Sequence, residues 1–268
     1  MPTSLPATPP AQAMLLAAGR GQRMRPLTDN TPKPLLTVQG QPLLQWHLQA
    51  LAAQGFTEVL INTGWLGAQI PAHFGEIFTH GQGALATALP ASRLRYSRED
   101  LDFAQALETA GGIARALPHL ADVFWLAAGD VFAPDFAFAR ADYERFAASP
   151  ALAHLWLVPN PAHHPAGDFA LAPDGLAHPI SNANTHWPRY TYSTIGLFKQ
   201  ALFAAPWCNI PAGNPDGIVA PLAPVLRAAM QQGLISASLY TGRWTDVGTP
   251  QRLAELNAAP LASSHEQG

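Results

Sequence analysis

The sequence predicts an α/β fold in which helices flank a mixed, mostly parallel β-sheet. Residues 13–17 form an unbroken apolar run with the length and composition of a strand that is covered on both faces. Strand-like and helix-like segments then alternate along the first half of the chain, as they do where right-handed crossovers join parallel strands. The chain has 268 residues, of which 48% are hydrophobic, so it can bury one large core.

The element after the first strand is predicted to be a helix over residues 41–54. Pro42 stands near its start, apolar residues and His47 recur at helical spacing, and Gly55 provides a stop signal. The elements that follow are predicted as a strand at 58–63, a short helix at 66–74, a loop at 79–92, a strand at 94–97, a helix at 109–117 and a strand at 123–128. This order supports the parallel sheet.

Composition and termini limit the setting in which the protein works. The net charge of −3 gives no general attraction to nucleic acid, and no apolar run approaches the length of a membrane span. The proline-rich residues 1–11 lack the features of a signal peptide and are predicted to be a disordered tail, and residues 259–268 a second loose tail. The single cysteine, Cys208, excludes an intramolecular disulfide and suits a reducing compartment. We therefore expect a cytoplasmic protein without nucleic-acid or membrane partners.

The loop after the first strand has the composition of a phosphate-binding loop. Gly19 and Gly21 allow the backbone to approach a ligand closely. Their neighbours Arg20, Arg23 and Arg25 bring permanent positive charges into the same short segment. A loop that leaves a parallel strand opens at the ligand-binding edge of the sheet. The sequence therefore predicts contacts with a polyphosphate.

Lys33, which follows this loop, is a candidate for contact with a reacting phosphate. Of the 15 basic residues only Lys33 and Lys199 are lysines, and Lys33 stands between two prolines. An ammonium is a compact, movable point charge, which suits a phosphate whose geometry changes during a reaction. The alternative is a solvated surface lysine.

A carboxylate follows the strand predicted at 123–128. Asp130, after Gly129, comes at the carboxyl end of this strand, where ligands usually bind. Mg²⁺ prefers one or two protein carboxylates together with phosphate oxygens and water. Asp130 is therefore a candidate magnesium ligand, and a second acid is expected from elsewhere in the chain.

These residues resemble the signature of the sugar-1-phosphate nucleotidyltransferases, Leu-x-Ala-Gly-x-Gly-x-Arg-(Leu/Met) followed by Pro-Lys-Pro, which stands here at 16–24 and 32–34. By resemblance the catalytic residues are Arg23, which holds the β- and γ-phosphates, and Lys33, which contacts the reacting phosphates. The resemblance implies that the nucleoside triphosphate is wrapped by Ala17, Ala18, Gly19, Arg20, Gly21 and Arg23.

The same resemblance implies a Rossmann-like nucleotidyltransferase fold with a small sugar-binding extension. We expect one domain over residues 12–258, with a nucleotide-binding part at 12–150 and a sugar-binding part at 151–258. Residues 244–249 match the family motif Trp-x-Asp-x-Gly-Thr, which makes Asp246 the second magnesium ligand beside Asp130. For either aspartate the alternative is a role in a turn or a helix cap.

A third motif, residues 108–112, resembles the family loop beside the nucleobase and ribose. Its predicted nucleotide-binding residues are Glu108, Thr109, Ala110, Gly111 and Gly112. The alternative is a helix start capped by Thr109, and the two interpretations are compatible.

The second half of the chain resembles the bacterial N-acetylmuramate 1-phosphate uridylyltransferases of peptidoglycan recycling. The predicted sugar-phosphate-binding residues are Asn160, Gly167, Asp168, Arg189, Thr191 and Ser193. Many relatives hold the sugar phosphate with a Glu-Lys-Pro lysine that this chain lacks; Arg189 is its predicted replacement, and could equally be an exposed loop residue. Adjacent histidines at 163 and 164 are not expected to bind a metal, because neighbours rarely converge on one ion.

The resemblance implies Mg²⁺-dependent transfer of a nucleotidyl group to a sugar 1-phosphate, with UTP and N-acetylmuramic acid 1-phosphate favoured as substrates. The same motifs fit a mannose 1-phosphate guanylyltransferase or another member of the family, because the shared loop does not determine which sugar is bound. A non-catalytic sensor of nucleotides or sugar phosphates is the alternative from a different class. Without hexapeptide repeats, the sequence favours a monomer.

Overall fold

A computed structural model describes residues 9–80, 89–103 and 105–259. The predicted tails over residues 1–8 and 260–268, and the middle of the loop predicted at 79–92, lie outside the described residues.

The described residues form strands and helices that alternate through the first half of the chain. The strands are β1 (Ala11–Ala17), β2 (Thr37–Val38), β3 (Gln41–Pro42), β4 (Glu58–Thr63), β5 (Ile77–Phe78), β6 (Ser92–Arg98), β7 (Leu120–Ala128), β8 (Val131–Phe132), β9 (Ala153–Val158), β10 (Phe169–Leu171), β11 (Ala177–Pro179), β12 (Arg189–Lys199), β13 (Ile235–Leu239) and β14 (Thr245–Asp246). The helices are α1 (Leu43–Ala53), α2 (Gln69–Phe74), α3 (Glu99–Asp102), α4 (Glu108–Ala116), α5 (Arg140–Ala148), α6 (Leu222–Met230) and α7 (Pro250–Ala258). Short 3-10 helices lie at Gln22–Met24, Leu27–Asp29, Lys33–Leu35, Leu117–His119, Asn182–Asn184 and Gln200–Phe203.

The main sheet has the strand order β11-β10-β12-β7-β1-β4-β6-β5, with β9 on β12 and β13 on β9. Its central strands β7, β1, β4 and β6 run parallel, and β12 joins them antiparallel to β7. The predicted mixed, mostly parallel sheet is confirmed. The carboxyl ends of the four parallel strands meet at one edge, and the loops that follow them are thereby brought together.

Hydrophobic cores cover both faces of this sheet. Met14 packs on one face with α4 and α6, and its neighbour Leu15 packs on the other face with α1 and α5. Successive strand residues point to opposite faces, so an apolar run without polar interruptions is what a doubly covered strand requires. A third, smaller cluster under the phosphate loop contains Met24 and Val247.

The boundaries of several elements differ from the predicted ones. β1 begins at Ala11, which is buried in the sheet, so its assignment to the disordered tail was wrong. α1 begins only at Leu43, because Gln41 and Pro42 pair with β2 instead. α2 begins at Gln69, since Leu66 before it has a left-handed φ of +53°. Gly55, with φ +78°, follows α1 as predicted.

The helix predicted at 109–117 begins one residue earlier. Glu108 is its first residue, Leu107 occupies the cap position, and no side chain caps the helix. Thr109 lies inside the first turn, so the alternative in which it caps the helix was wrong.

Candidate active site

A cavity of about 840 Å³ opens along the edge where the parallel strands end. Its middle is formed by the loop after β1, by Lys33 and by Asp130 after β7. One flank comes from the ends of β4 and β6, and carries Asn62 and Glu99. The opposite flank comes from β10, β12 and α6. Because β12 lies beyond β7 and β4 lies beyond β1, the strand order itself separates the two flanks.

The loop after β1 is folded around its second glycine. Gly21 has φ +63°, and a methyl group in place of its hydrogen would lie 3.1 Å from the Thr28 side chain and 3.3 Å from that of Lys33. Thr28 donates a hydrogen bond of 2.8 Å to the Gly21 carbonyl. A methyl group at Gly19 would meet no atom of the described residues within 4 Å, so this position faces open space. Contacts of Gly21 with Thr28 and Lys33 hold the loop in place, and the backbone at Gly19 is accessible from the cavity.

The arginines of this loop differ in position. Arg23 lines the cavity, as predicted, together with Ala17, Ala18, Gly19 and Gly21. The Arg20 guanidinium instead stacks 4.4 Å from the centre of the Trp65 ring, and Trp65 donates a hydrogen bond of 2.8 Å to the Thr28 carbonyl. Arg20 is not among the described residues that line the cavity. Its contact with Trp65 stabilises the side of the loop that faces away from the cavity.

Lys33 and Asp130 form an ion pair in the middle of the cavity. Lys33 Nζ lies 2.6 Å from Asp130 Oδ2, and the lysine side chain is only 9% exposed. The short helix Lys33–Leu35, which Pro32 precedes, aims this lysine at the end of β7. A buried ammonium needs a partner, and here the partner is the carboxylate predicted to bind metal.

His47 holds the backbone next to Asp130 in place. Its Nε2 lies 2.9 Å from the carbonyl oxygen of Val131, the residue after Asp130. Burial lowers the pKa of His47 to about 4, so the ring is neutral near pH 7. A carbonyl only accepts hydrogen bonds, so the single ring proton lies on Nε2. The sequence placed His47 on the buried face of α1, which is confirmed, but gave it no function.

Asp246 is brought next to Asp130 by a two-stranded ladder. It pairs with Val131 across β8 and β14, and Val247 donates a backbone hydrogen bond of 3.1 Å to the Asp130 carbonyl. Asp246 Oδ2 accepts a bond of 2.7 Å from Arg252 Nη1. Its Oδ1 is buried, and lies 3.1 Å from His163 Nε2 without the alignment of a hydrogen bond.

The donor set fits Mg²⁺ better than a transition metal. Within residues 9–80, 89–103 and 105–259, no cluster of three or more His, Cys, Asp or Glu side chains could hold a metal by itself. Asp130 lines the cavity, and Asp246 lies on the adjacent strand behind the described wall with a buried oxygen that has no hydrogen bond. One or two carboxylates beside substrate phosphates match the way Mg²⁺ is held.

Gly248 leaves room for the Arg252 guanidinium beside Asp246. A methyl group at this position would lie 2.8 Å from Arg252 Nη1 and 3.5 Å from Arg23 Nη2. The glycine of the Trp-x-Asp-x-Gly-Thr motif is therefore needed for the contact between Arg252 and Asp246, and Arg23 Nη2 lies at ordinary contact distance from the same position.

Hydrogen bonds connect the loops on the flank formed by β4 and β6. The Ala17 amide donates to Asn62 Oδ1 at 2.8 Å, and Asn62 Nδ2 donates to Glu99 Oε1 at 2.8 Å. Glu99 Oε2 accepts from the Leu107 amide at 3.0 Å, and burial raises the pKa of this carboxyl. Asn62 and Glu99 are 3% and 1% exposed and line the cavity. The sequence reading missed both, although each follows the rule that residues ending parallel strands face the ligand.

The motif at 108–112 contributes only its first two residues to the cavity. Glu108, with φ +60°, and Thr109 line it. Ala110, Gly111 and Gly112 are buried in α4. The amides of Ala110 and Gly111 donate to the Ala220 carbonyl at 2.9 and 3.1 Å. A methyl group at Gly112 would lie 2.7 Å from Glu99 Oε1, so Gly112 is needed for packing.

On the opposite flank, Asp168 lines the cavity. Most of the other predicted sugar-site residues lie behind the cavity wall and hydrogen-bond with one another. Asp168 Oδ2 accepts a 2.8 Å hydrogen bond from the Tyr192 amide. Asn160 accepts from Thr191 Oγ1 and donates to the Arg189 carbonyl, both at 3.0 Å. A methyl group at Gly167 would lie 2.8 Å from Asn160 Oδ1. Of these residues only Asp168 and Tyr192 belong to the described cavity wall.

Two predicted sugar-site residues point elsewhere, and another arginine lines the cavity. Ser193 is fully buried and donates a bond of 2.6 Å to the Trp156 carbonyl. Arg189 is exposed at the start of β12 and is absent from the described cavity wall. Arg227 of α6 lines the cavity instead, and forms no ion pair within the described part of the chain. Arg227 lies in none of the recognised sequence motifs, and no role was predicted for it.

No helix in the described part of the chain is both long and apolar enough to cross a membrane.

Comparison with known proteins identifies the family. Residues 13–186 match the MobA-like NTP transferase domain. The chain is 45% identical over 250 residues to an N-acetylmuramate alpha-1-phosphate uridylyltransferase of Neisseria meningitidis serogroup B, covering 92% of this chain and 97% of that protein. It is 31% identical to a protein of the same description from Caulobacter vibrioides, covering 90% of this chain and 93% of the relative.

A solved structure confirms the nucleotidyltransferase fold. A Bacillus anthracis protein described as a glucose-1-phosphate thymidylyltransferase superposes with a TM-score of 0.69 at 20% identity, over 96% of this chain and 97% of that one. The match to the domain family and the near full-length relatives agree with this fold. The chain belongs to the MobA-like NTP transferase family and is a nucleotidyltransferase.

Proposed function

We propose that the protein transfers the uridylyl group of UTP to N-acetylmuramic acid 1-phosphate, with Mg²⁺ and with release of pyrophosphate. The choice of substrates rests on the 45% identity with the Neisseria relative of that description. The observation that carries the chemistry is the buried Lys33 ammonium, paired with Asp130 and facing the loop after β1 in one cavity.

The reaction is a displacement at the α-phosphorus of the nucleotide. A phosphate oxygen of the sugar 1-phosphate forms the new bond to this phosphorus. The bond to the oxygen that bridges toward the β-phosphorus breaks, and pyrophosphate leaves with the bonding electrons. The attacking oxygen is already ionised near neutral pH, so no general base is needed, and catalysis comes from alignment and charge stabilisation.

Two cations of the cavity have separate tasks in this reaction. Lys33 offsets the charge that develops around the α-phosphorus, since its ammonium lies at the centre of the cavity. Arg23, beside Gly248, holds the β- and γ-phosphates with a two-pronged contact. The open space over Gly19 allows the triphosphate to approach the loop backbone.

Asp130 and Asp246 would hold the magnesium ion. Lys33 holds Asp130 Oδ2 and Arg252 holds Asp246 Oδ2, so the second oxygen of each carboxylate would bind the ion, that of Asp246 in exchange for its 3.1 Å contact with His163 Nε2. When bound, Mg²⁺ neutralises charge on the phosphate oxygens and orients them. His47 keeps the turn after β7 in place, and so fixes the direction of Asp130.

Arg227 would bind the phosphate of the sugar 1-phosphate. It stands on the flank built by β10, β12 and α6, away from Asn62 and Glu99, and its guanidinium has no carboxylate partner among the described residues. An unpaired arginine at a cavity wall suits a dianionic phosphate. Arg227 thereby takes the role that the sequence reading gave to Arg189.

A substrate matrix tests the proposal. We would measure pyrophosphate release with Mg²⁺ while crossing UTP, GTP, CTP and dTTP with the 1-phosphates of N-acetylmuramic acid, mannose, glucose and N-acetylglucosamine. The expected result is selective turnover of UTP with N-acetylmuramic acid 1-phosphate. Preference for another pair would contradict the proposed substrates, and no release with any pair would favour a non-catalytic sensor.

We also propose that the enzyme acts as a cytoplasmic monomer in peptidoglycan recycling. The buried free thiol of Cys208 and the intracellular nature of its substrates support this setting. Light scattering coupled to size-exclusion chromatography tests the oligomeric state; a stable dimer would contradict it.

A further inference from the structure

Thr194 has an unusual backbone conformation in the wall of the cavity. Its φ is +62°, in the left-handed region that β-branched residues strongly avoid. Among the described residues with positive φ that are not glycine, Glu108 and Thr194 belong to the cavity wall. Glu108 lies on the flank with Asn62 and Glu99, and Thr194 lies on the sugar flank. Strain of this kind persists only where surrounding contacts enforce it, and it often accompanies function.

A bulge in β12 produces this conformation. Tyr192 pairs with Leu157 of β9, but the next paired residue is Ile195, opposite Trp156, so Ser193 and Thr194 are skipped. The pairing of β12 with β7 likewise begins only at Ile195. Such bulges redirect side chains next to active sites.

The bulge is held by a set of hydrogen bonds around Ser193. Its hydroxyl donates to the Trp156 carbonyl at 2.6 Å and accepts from the Ile195 amide at 3.1 Å. Its carbonyl accepts from Trp244 Nε1 at 3.0 Å. Trp244 stands two residues before Asp246, so the sugar flank and the proposed metal-binding strand are joined through this carbonyl. The position of Thr194 is therefore enforced from both sides.

The hydroxyl of Thr194 has only its lone pairs left for a ligand. Its one proton is donated to the Ser193 carbonyl at 2.6 Å. With Trp244 Nε1, this second donor fills both lone pairs of that carbonyl, which favours the arrangement. With its proton engaged in this way, Thr194 Oγ1 offers lone pairs as acceptors on a residue that lines the cavity. Sugar hydroxyls can donate to such an acceptor, but they can also accept; an amide N–H only donates, so it is the sugar group that an acceptor distinguishes best.

We propose that Thr194 is a specificity-determining residue whose hydroxyl oxygen accepts a hydrogen bond from the acetamido N–H of a 2-acetamido sugar 1-phosphate. The proposal rests on the proposed function, and it specifies which group of the sugar the enzyme recognises. It also explains why a strained threonine stands where glycine would fit the backbone with less strain.

Three variants test this role: Thr194→Val, Thr194→Ser and Thr194→Gly. Valine keeps the shape and the strain but removes the acceptor, so we expect the KM for N-acetylmuramic acid 1-phosphate to rise roughly threefold to tenfold. Serine keeps the acceptor and should leave this KM within about twofold of wild type. The KM for UTP should not change in either variant.

Thr194→Gly separates recognition from structure. We expect its melting temperature to equal or exceed that of wild type, because glycine relieves the strain at φ +62°, while its KM for the sugar 1-phosphate rises as in the valine variant. A purely structural threonine would change the melting temperature without changing this KM.

The outcomes distinguish this inference from the proposed function. If wild type does not turn over N-acetylmuramic acid 1-phosphate, the proposed function fails, and the role of Thr194 fails with it. If wild type is active and the valine variant has an unchanged KM for the sugar, only the role of Thr194 is overturned. Equal inhibition of the wild-type reaction by glucose 1-phosphate and N-acetylglucosamine 1-phosphate would overturn the acetamido assignment.

Discussion

Lys33 Nζ and Asp130 Oδ2 lie 2.6 Å apart, although 97 positions separate these residues in the chain. The pair links the end of the phosphate loop with the end of β7. Each partner constrains the other: the carboxylate compensates a buried ammonium, and the ammonium holds one carboxylate oxygen away from a metal.

Replacing Lys33 by alanine should lower kcat by roughly a hundredfold or more, because charge around the α-phosphorus loses its stabilising cation. Steady-state kinetics and thermal melting check this. Lys199→Ala is a matched control, since Lys199 contacts the Ser149 carbonyl and the Phe146 ring outside the cavity wall. A Lys33→Ala variant with near-normal kcat would refute the catalytic assignment.

Replacing Asp130 by asparagine should raise the Mg²⁺ concentration needed for half-maximal rate by about tenfold or more and also lower kcat, since a ligating charge is lost. A magnesium titration of the rate measures both effects. Asp135→Asn serves as the control, because Asp135 is paired with Arg243 and lies outside the cavity wall. If Asp130 were only structural, its variant would melt earlier while keeping the magnesium dependence of wild type.

Exchanging Arg227 for alanine should raise the KM for the sugar 1-phosphate by roughly tenfold and leave the KM for UTP unchanged, because a charge-assisted contact to phosphate is lost. Arg227→Lys should recover part of the effect. Arg189→Ala, outside the described cavity wall, should behave as wild type. The opposite ranking of the two arginines would restore Arg189 as the sugar-phosphate residue.

His47 should make the protein less stable in mild acid. Its pKa is about 4 in the folded state and 6.5 in the unfolded state, so between these values the unfolded chain binds more protons and stability falls as pH falls. The full contribution, on the order of 3 kcal/mol, is present above the unfolded pKa and is lost toward about pH 4.

Denaturant unfolding of wild type and His47→Gln over this pH range isolates the effect. Glutamine can still donate to the Val131 carbonyl but does not titrate, so His154, whose pKa burial also lowers to about 4, contributes equally to both proteins. The free energy of unfolding of wild type should fall relative to that of His47→Gln as the pH falls from about 7 to about 4. A pH-independent difference would contradict a neutral, buried His47.

The sequence allowed the middle of the fold and of the site to be predicted. The apolar run at β1, the glycine loop and the residues that end β7 are local signals, because each depends on a few neighbouring residues. Gly21, Lys33 and Asp130 accordingly line the cavity where the sequence placed them. The membership in the nucleotidyltransferase family also followed from these motifs.

The flanks could not be predicted from such signals. Asn62 and Glu99 reach the cavity through hydrogen bonds between loops that are far apart in the chain. Ser193 turns inward and Thr194 toward the cavity because a bulge shifts the register of β12, and alternation along the strand does not reveal a bulge. Arg227 enters through the packing of α6, which is set by tertiary contacts.

The fate of the α-phosphorus of UTP tests the central claim most directly. UTP labelled at the α-phosphorus would be incubated with N-acetylmuramic acid 1-phosphate, Mg²⁺ and the purified protein, with Lys33→Ala as the inactive control. The account predicts that the label appears in the UDP-sugar, in equal amount to the pyrophosphate released, and that the variant forms almost none. Label found only in unreacted UTP, or in UMP without a sugar nucleotide, would contradict nucleotidyl transfer to this sugar.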